Sequence, residues 1–116
     1  MKVEIGGVEV TLAAPVSVAA RLDVVLAVAK NSQRAMAAAL GLCWQSPNAP
    51  GGKYDYDVMR YGGAVLDDLI GKRALPPAVV FAACAHALEL CSAGLYSEAE
   101  VADAAKNSEA GEDPAV

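Results

Sequence analysis

Residues 2–12 read KVEIGGVEVTL, and this alternation of polar and apolar residues around Gly6-Gly7 decides how the fold begins. Glycine tolerates the positive φ angles that a two-residue hairpin turn requires. With this loop, Ile5 faces Val8 across the hairpin. Val3 then faces Val10 in the same way, so one face of the hairpin is apolar and the other is polar.

The same register places Glu4 opposite Glu9, a mildly unfavourable pair of like charges. A two-stranded hairpin is only marginally stable by itself in water. Its apolar face is therefore expected to cover the helices that follow, or to join the sheet of another subunit.

Apolar residues repeat at helical spacing after Pro15, which predicts a bundle of about five α-helices. Ser17 is placed to cap the first helix, over about 18–30. The apolar side of this helix is expected to consist of Val18, Leu22, Val25, Leu26 and Ala29. Asn31 or Ser32 caps a second helix, over about 33–44, whose inward residues are Met36, Ala39, Leu40 and Cys43. Proline and glycine predict a loop over 45–53.

Asp55 or Asp57 opens the third helix, and Gly71 is the expected stop at its end. Gly62-Gly63 lies inside this helical pattern, where each glycine costs up to about 1 kcal/mol relative to alanine. A close approach of two helices would compensate for this cost, and a kink is the other explanation.

Leu75-Pro76-Pro77 predicts the start of the fourth helix, which runs to about Ala93 and stops at Gly94. This helix is apolar almost all round, so it is either central to the domain or partly covered by a partner. Because the chain also has few aromatic residues, we expect it to self-associate into a homo-oligomer. Ser97 caps a short fifth helix with a capping box.

These elements predict an α+β fold, in which an N-terminal β-hairpin packs on the bundle of about five helices. Residues 1–106 form a single domain in this interpretation. Residues 107–116 have no apolar period and are acidic, which predicts a disordered tail that folding does not need.

Charge and hydropathy exclude several classes of partner. The 116-residue chain has a net charge of −5 and no cluster of basic residues, so we expect no binding to nucleic acid or to a membrane surface. The uncharged stretch 74–88, at the fourth helix, is too short to span a bilayer. Without an export signal at the N-terminus, a cytoplasmic location and reduced cysteines are expected.

Three residues of the fourth helix, Cys84, His86 and Cys91, have side chains that can bind metals. Helical geometry places Cys84 and His86 on opposite sides, and Cys84 and Cys91 about 10.5 Å apart along one face. We therefore expect no metal site, buried cysteines, and a surface pairing of His86 with Glu89. Adjacent carboxylates such as Asp67-Asp68 diverge on a helix, so no catalytic or cofactor-binding residue is assigned and no enzyme activity is expected.

Large apolar and aromatic residues are the candidates for partner binding. Tyr54 and Tyr56 border the proline- and glycine-rich loop, and they either pack it onto the helices or anchor a partner. The fourth helix offers Val80, Phe81 and Leu88. A lone phenylalanine in a helix belongs either to the core or to an interface, and both remain open for Phe81.

The hairpin built on Gly-Gly, the helical body, and the stretches 61–69 (YGGAVLDDL), 75–79 (LPPAV) and 95–101 (LYSEAEV) resemble the tail assembly chaperones of tailed bacteriophages. The resemblance is one of pattern over most of residues 3–105. It implies a role in tail morphogenesis, with the tape-measure protein and tail-tube subunits as partners. A structural virion component, such as a head–tail connector, neck or tail protein, is the alternative.

Overall fold

The computed structural model describes residues 1–30, 32–45, 48–93 and 95. They form an antiparallel β-hairpin followed by helices, which confirms the α+β class. The strands are β1 (Lys2–Ile5) and β2 (Val8–Thr11). Four α-helices lie in this part of the chain, where about five were predicted for the whole: α1 (Val18–Val28), α2 (Ser32–Cys43), α3 (Val58–Leu66) and α4 (Pro77–Ser92).

The predicted fifth helix from Ser97 and the predicted tail over 107–116 lie outside the described residues. The same is true of Asn31, one of the two proposed caps of α2, and of Gly94, the proposed stop after α4. None of the helices within the described ranges is long and apolar enough to cross a membrane.

The hairpin has the predicted register, with Ile5 paired to Val8, Val3 to Val10 and Glu4 to Glu9. Gly6 and Gly7 have φ angles of 60° and 82°, in the left-handed region that glycine tolerates. The apolar face covers the helices, because Ile5, Val10 and Leu12 belong to the buried core.

Two of the predicted caps are confirmed. The Ser17 hydroxyl accepts a hydrogen bond from the Ala20 backbone at 3.2 Å, and Asp57 caps α3 by accepting from the Arg60 backbone at 3.0 Å. The prolines also mark the start of α4 as expected, with Pro77 as its first residue.

Gly71 does not end the third helix, contrary to the sequence-based prediction. The chain continues from α3 through a π-helical segment, Asp67–Lys72, which is closed by a hydrogen bond from the Arg73 backbone N–H to the Asp68 carbonyl at 2.8 Å. Gly71 is absent from the glycines with positive φ, so it does not adopt the left-handed conformation that usually stops a helix.

The centre of the bundle is α2, which contacts α1, α3 and α4. Its buried residues are mostly small, namely Ala35, Ala37, Ala38, Ala39, Leu40, Gly41 and Cys43. Small side chains on α2 allow α1, α3 and α4 to pack closely around it. Helix α4 buries one side only and exposes alanines together with His86 and Glu89 on the other, so its apolar character is largely explained by its own core.

Close helix approach also explains one of the two glycines inside α3. A Cβ atom on Gly62 would clash with the backbone of Arg34 at the start of α2, with the Arg34 carbonyl carbon only 2.7 Å away. A Cβ atom on Gly63 would meet nothing within 4 Å. The first glycine is therefore required by the α2–α3 contact, and the second is not.

Candidate protein-binding surface

Of the residues predicted on the inner side of α1, Val25 is partly buried against the core, but the fully buried residues lie on a different side. Ala20 and Val24 face the core at 3% and 0% exposure. Val18 and Leu26 were expected inside, but 53% and 62% of their surfaces are exposed. Together with the partly exposed Leu22, they form a row at i, i+4 and i+8 that runs about 12 Å along the helix. We call these three residues the α1 stripe.

Arg21 determines which side of α1 faces the core. Its Nε donates to the carbonyl oxygen of Cys91 at 3.0 Å, and its Nη2 donates to that of Ala93. The end of a helix, here α4, has unpaired carbonyl groups and a partial negative charge. Val24 and Val28 follow Arg21 by three and seven residues and share its face. The hydrogen bonds from Arg21 to the end of α4 therefore hold this face of α1 against the core and leave its opposite face exposed to solvent.

Tyr56 lies next to α1 and is 67% exposed. Its φ angle is 65°, a left-handed conformation that is uncommon for a residue with a bulky side chain. Such strain persists only where the surroundings hold the backbone, and it is concentrated at functional sites. The sequence could not show that Tyr56 lies next to Leu26 of the α1 stripe.

Tyr54 attaches the loop that carries Tyr56 to the helices. Its hydroxyl donates to Oδ2 of Asp23 on α1 at 3.3 Å. Its ring lies 5.0 Å from the ring of Tyr56 and 5.2 Å from that of Tyr61. Burial, with a further contribution from the Asp23 carboxylate, raises the pKa of Tyr54 to about 12. The hydroxyl therefore remains a hydrogen-bond donor at neutral pH.

Two carboxylates hold the backbone on either side of Tyr56. Arg60 binds Asp55 at 3.0 Å and Asp57 at 3.1 Å. Asp57 also accepts the backbone N–H of Arg60, and this bond lowers the pKa of its carboxyl. The neighbours of Tyr56 on both sides are thus tied to one arginine, which helps to hold the loop that carries Tyr56.

Between α1 and this loop lies an open groove of about 330 Å³. We call it the α1–Tyr56 groove. It is lined by Asp23, Leu26, Ala27, Lys30, Tyr56 and Val58. Its lining combines apolar side chains with one acidic and one basic side chain about 10.5 Å apart along the helix.

The five predicted anchors do not form one surface. Val80 is fully buried and is therefore a core residue with no area to offer a partner in this conformation. Phe81 and Leu88 lie on α4, partly buried and packed against the core. Tyr54 is partly buried in the contacts given above, which leaves Tyr56 as the exposed anchor.

The cysteines are buried, as the sequence predicted, and His86 pairs with Glu89 at 3.8 Å. Cys43 and Cys91 approach each other across α2 and α4, with their Sγ atoms 3.6 Å apart. This contact was not predicted, because the two residues lie on different helices. Within the described ranges, no group of three or more histidine, cysteine or acidic residues is arranged to hold a metal ion.

Comparison of the chain with protein-family models, with curated proteins and with solved structures gave no match. The resemblance to tail assembly chaperones therefore rests on the sequence pattern alone.

Proposed function

We propose that the protein binds an apolar helical segment of another protein along the α1 stripe and in the α1–Tyr56 groove, which share Leu26. The observation that carries this proposal is the exposure of Leu26 and Val18 on a helix whose opposite face already completes the core. Full burial of a leucine or valine side chain is worth about 1.5–3 kcal/mol. Burial of the α1 stripe against a partner would therefore stabilise the complex relative to the isolated chain.

The geometry favours a helix as the occupant. Side chains at i, i+4 and i+8 form a straight row, and an amphipathic helix presents a matching row of apolar residues to such a surface. Tyr56 adds a large ring that contacts the ring of Tyr54 and lies on a loop held by Arg60. Tyrosine is enriched among residues that contribute most to binding, and an ordered ring loses little conformational entropy on contact.

The biological setting that we propose is the assembly of a phage or prophage tail, with the protein acting as a chaperone. Two features support it: the resemblance in sequence pattern, and a surface suited to an apolar helix. A tape-measure protein is long, helical and apolar, so it would expose segments of this kind before the tail is complete. The net charge of −5 helps to keep a complex with such a partner soluble.

Photo-crosslinking from the groove tests this function. A benzoyl-phenylalanine in place of Tyr56, introduced in bacterial cells that produce the tail, should crosslink to an apolar helical segment of a tail protein. Leu26→Gln should abolish the crosslink without unfolding the protein, since Leu26 is exposed. The matched control is Val8→Thr, because Val8 is also 62% exposed but lies on the hairpin. This control should leave the crosslink unchanged.

Crosslinking that is insensitive to Leu26→Gln would contradict the assignment of the groove. The composition of purified tails tests the proposed role as an assembly chaperone. A chaperone should be missing from finished particles, and stoichiometric retention there would instead identify a structural component of the virion.

A further inference from the structure

The outer edge of β1 is a second surface, separate from the groove. In the hairpin, residues alternate between those that bond across to the other strand and those whose N–H and C=O groups point outward. Met1 and Leu12 form a bonded pair, with the Leu12 N–H 2.7 Å from the Met1 carbonyl oxygen. By alternation Val3 and Ile5 also bond to β2. Lys2 and Glu4 therefore direct their backbone groups away from the hairpin.

The two edges of the hairpin differ in what covers them. On β2, the Thr11 carbonyl accepts the backbone N–H of Gln45 at 2.9 Å, and Leu12 forms a bridge with Trp44. This edge is thus engaged at Thr11 and Leu12 by the residues that follow α2. The backbone groups of Lys2 and Glu4 have no hydrogen-bond partner among the residues that the structure describes, and both residues are exposed.

We propose that β1 pairs with β1 of a second copy of this chain, antiparallel and centred on Val3, to form a four-stranded sheet across a twofold axis. Lys2 then lies opposite Glu4 of the partner subunit, and Glu4 lies opposite the partner's Lys2. Each of these two pairs exchanges two backbone hydrogen bonds, because all four residues point their N–H and C=O groups outward.

Charge selects this register over its neighbours. The symmetric registers that align outward-pointing residues place Lys2 opposite the partner's Lys2, Lys2 opposite the partner's Glu4, or Glu4 opposite the partner's Glu4. The central one alone joins opposite charges, while the other two oppose like charges.

The same register relieves an unfavourable contact within the hairpin. Glu4 faces Glu9 across β2. In the four-stranded sheet, Lys2 of the partner subunit lies on the other side of Glu4 and offsets this repulsion. Val3 meets the partner's Val3 on the opposite, apolar face, so the hairpin's division into a charged and an apolar face continues across the axis.

The edge is short, and this sets the expected strength. Strand β1 has four residues, so the contact through this edge lies well below the roughly 1,000 Å² of a stable interface. The dimer should therefore be weak, depend on protein concentration, and weaken as salt screens the Lys–Glu pairs.

A pair of proline variants tests the proposal on the full chain. Glu4→Pro removes one outward N–H from β1 and leaves the bonds inside the hairpin intact, because proline is tolerated where the N–H faces away from the ladder. Glu9→Pro does the same on the outer edge of β2 and also removes the Glu4–Glu9 repulsion, so it is the matched control. Sedimentation equilibrium should show dimerisation for the wild type and for Glu9→Pro, and a monomer for Glu4→Pro.

Charge reversal tests the register. Lys2→Glu or Glu4→Lys alone should weaken dimerisation by about tenfold, since both symmetric pairs become repulsive. The double variant should restore the wild-type dissociation constant. Hydrogen exchange gives an independent measure: the amides of Lys2 and Glu4 should gain protection as the protein concentration rises. Equal dissociation constants for the two proline variants, failure of the double variant to recover, or concentration-independent exchange would each overturn the proposal. None of these outcomes depends on the α1–Tyr56 groove.

Discussion

At the scale of single residues, Gly62 and Gly63 are neighbours in α3, but only Gly62 is in close contact with another helix. The first lies against the backbone of Arg34, which cannot move aside as a flexible side chain would. Gly62→Ala should therefore cost about 2 kcal/mol or more of unfolding free energy, because α3 must separate from α2. Gly63→Ala meets open space and should stabilise the protein by up to about 1 kcal/mol, through its higher helix propensity.

Urea unfolding followed by circular dichroism at 222 nm measures both variants in the same way. A decrease in the midpoint for Gly62→Ala together with an increase for Gly63→Ala is the expected result. Equal shifts would mean that α2 and α3 are not in backbone contact at this position.

At the scale of secondary-structure elements, the strands, turn and register of the hairpin could be predicted from sequence, although Val8 on its apolar face is 62% exposed. A period of two around Gly6-Gly7 permits one register only, since a slip by one residue would reverse both faces. The orientation of α1 could not be predicted, because apolar residues lie on both of its sides. The deciding contact, from Arg21 to the end of α4, joins residues 70 positions apart.

The π-helical segment could not be predicted from sequence either. Contacts of Arg73 hold this segment in place. Arg73 Nε binds Asp68 at 2.9 Å, and Nη2 binds the Asn48 carbonyl at 2.7 Å. The guanidinium also lies 5.5 Å from the centre of the Trp44 ring. One side chain thus ties the segment to the loop after α2 and to the residues beneath the hairpin.

Arg73→Lys should weaken all three of these contacts, because an ammonium group cannot reproduce the planar fork of the guanidinium. We expect a loss of about 1 kcal/mol in unfolding free energy, and a red shift in the fluorescence of Trp44, the single tryptophan, as water reaches its ring. The neighbouring Lys72→Arg is the control, since Lys72 is exposed and should tolerate the change. An unaltered emission spectrum in Arg73→Lys would show that the arginine does not cover the indole.

At the scale of the whole molecule, the core is assembled from small residues, so its stability depends on contacts between elements that are distant in sequence. Cys43 and Cys91 provide one such contact where α2 and α4 end, with both thiols fully buried. The hydrogen bond between them and their burial raise the pKa of Cys43 well above its usual range. The same hydrogen bond lowers the pKa of Cys91. Because both thiols are fully buried, both are still expected to react slowly with thiol reagents while the protein is folded.

Oxidation should nevertheless join this pair in preference to any other. With the sulfur atoms 3.6 Å apart, a small movement brings them to bonding distance. Diamide accepts two electrons and two protons as the two thiols become one disulfide, so the protein should lose about 2 Da without forming a covalent dimer. The crosslink would close a loop of nearly fifty residues, and the restriction of the unfolded chain is worth up to about 4 kcal/mol.

A higher melting temperature for the oxidised form, lost in Cys43→Ser and retained in Cys84→Ser, is the expected result. Intermolecular disulfides, or a crosslink that persists in Cys43→Ser, would show that the ends of α2 and α4 do not meet as described.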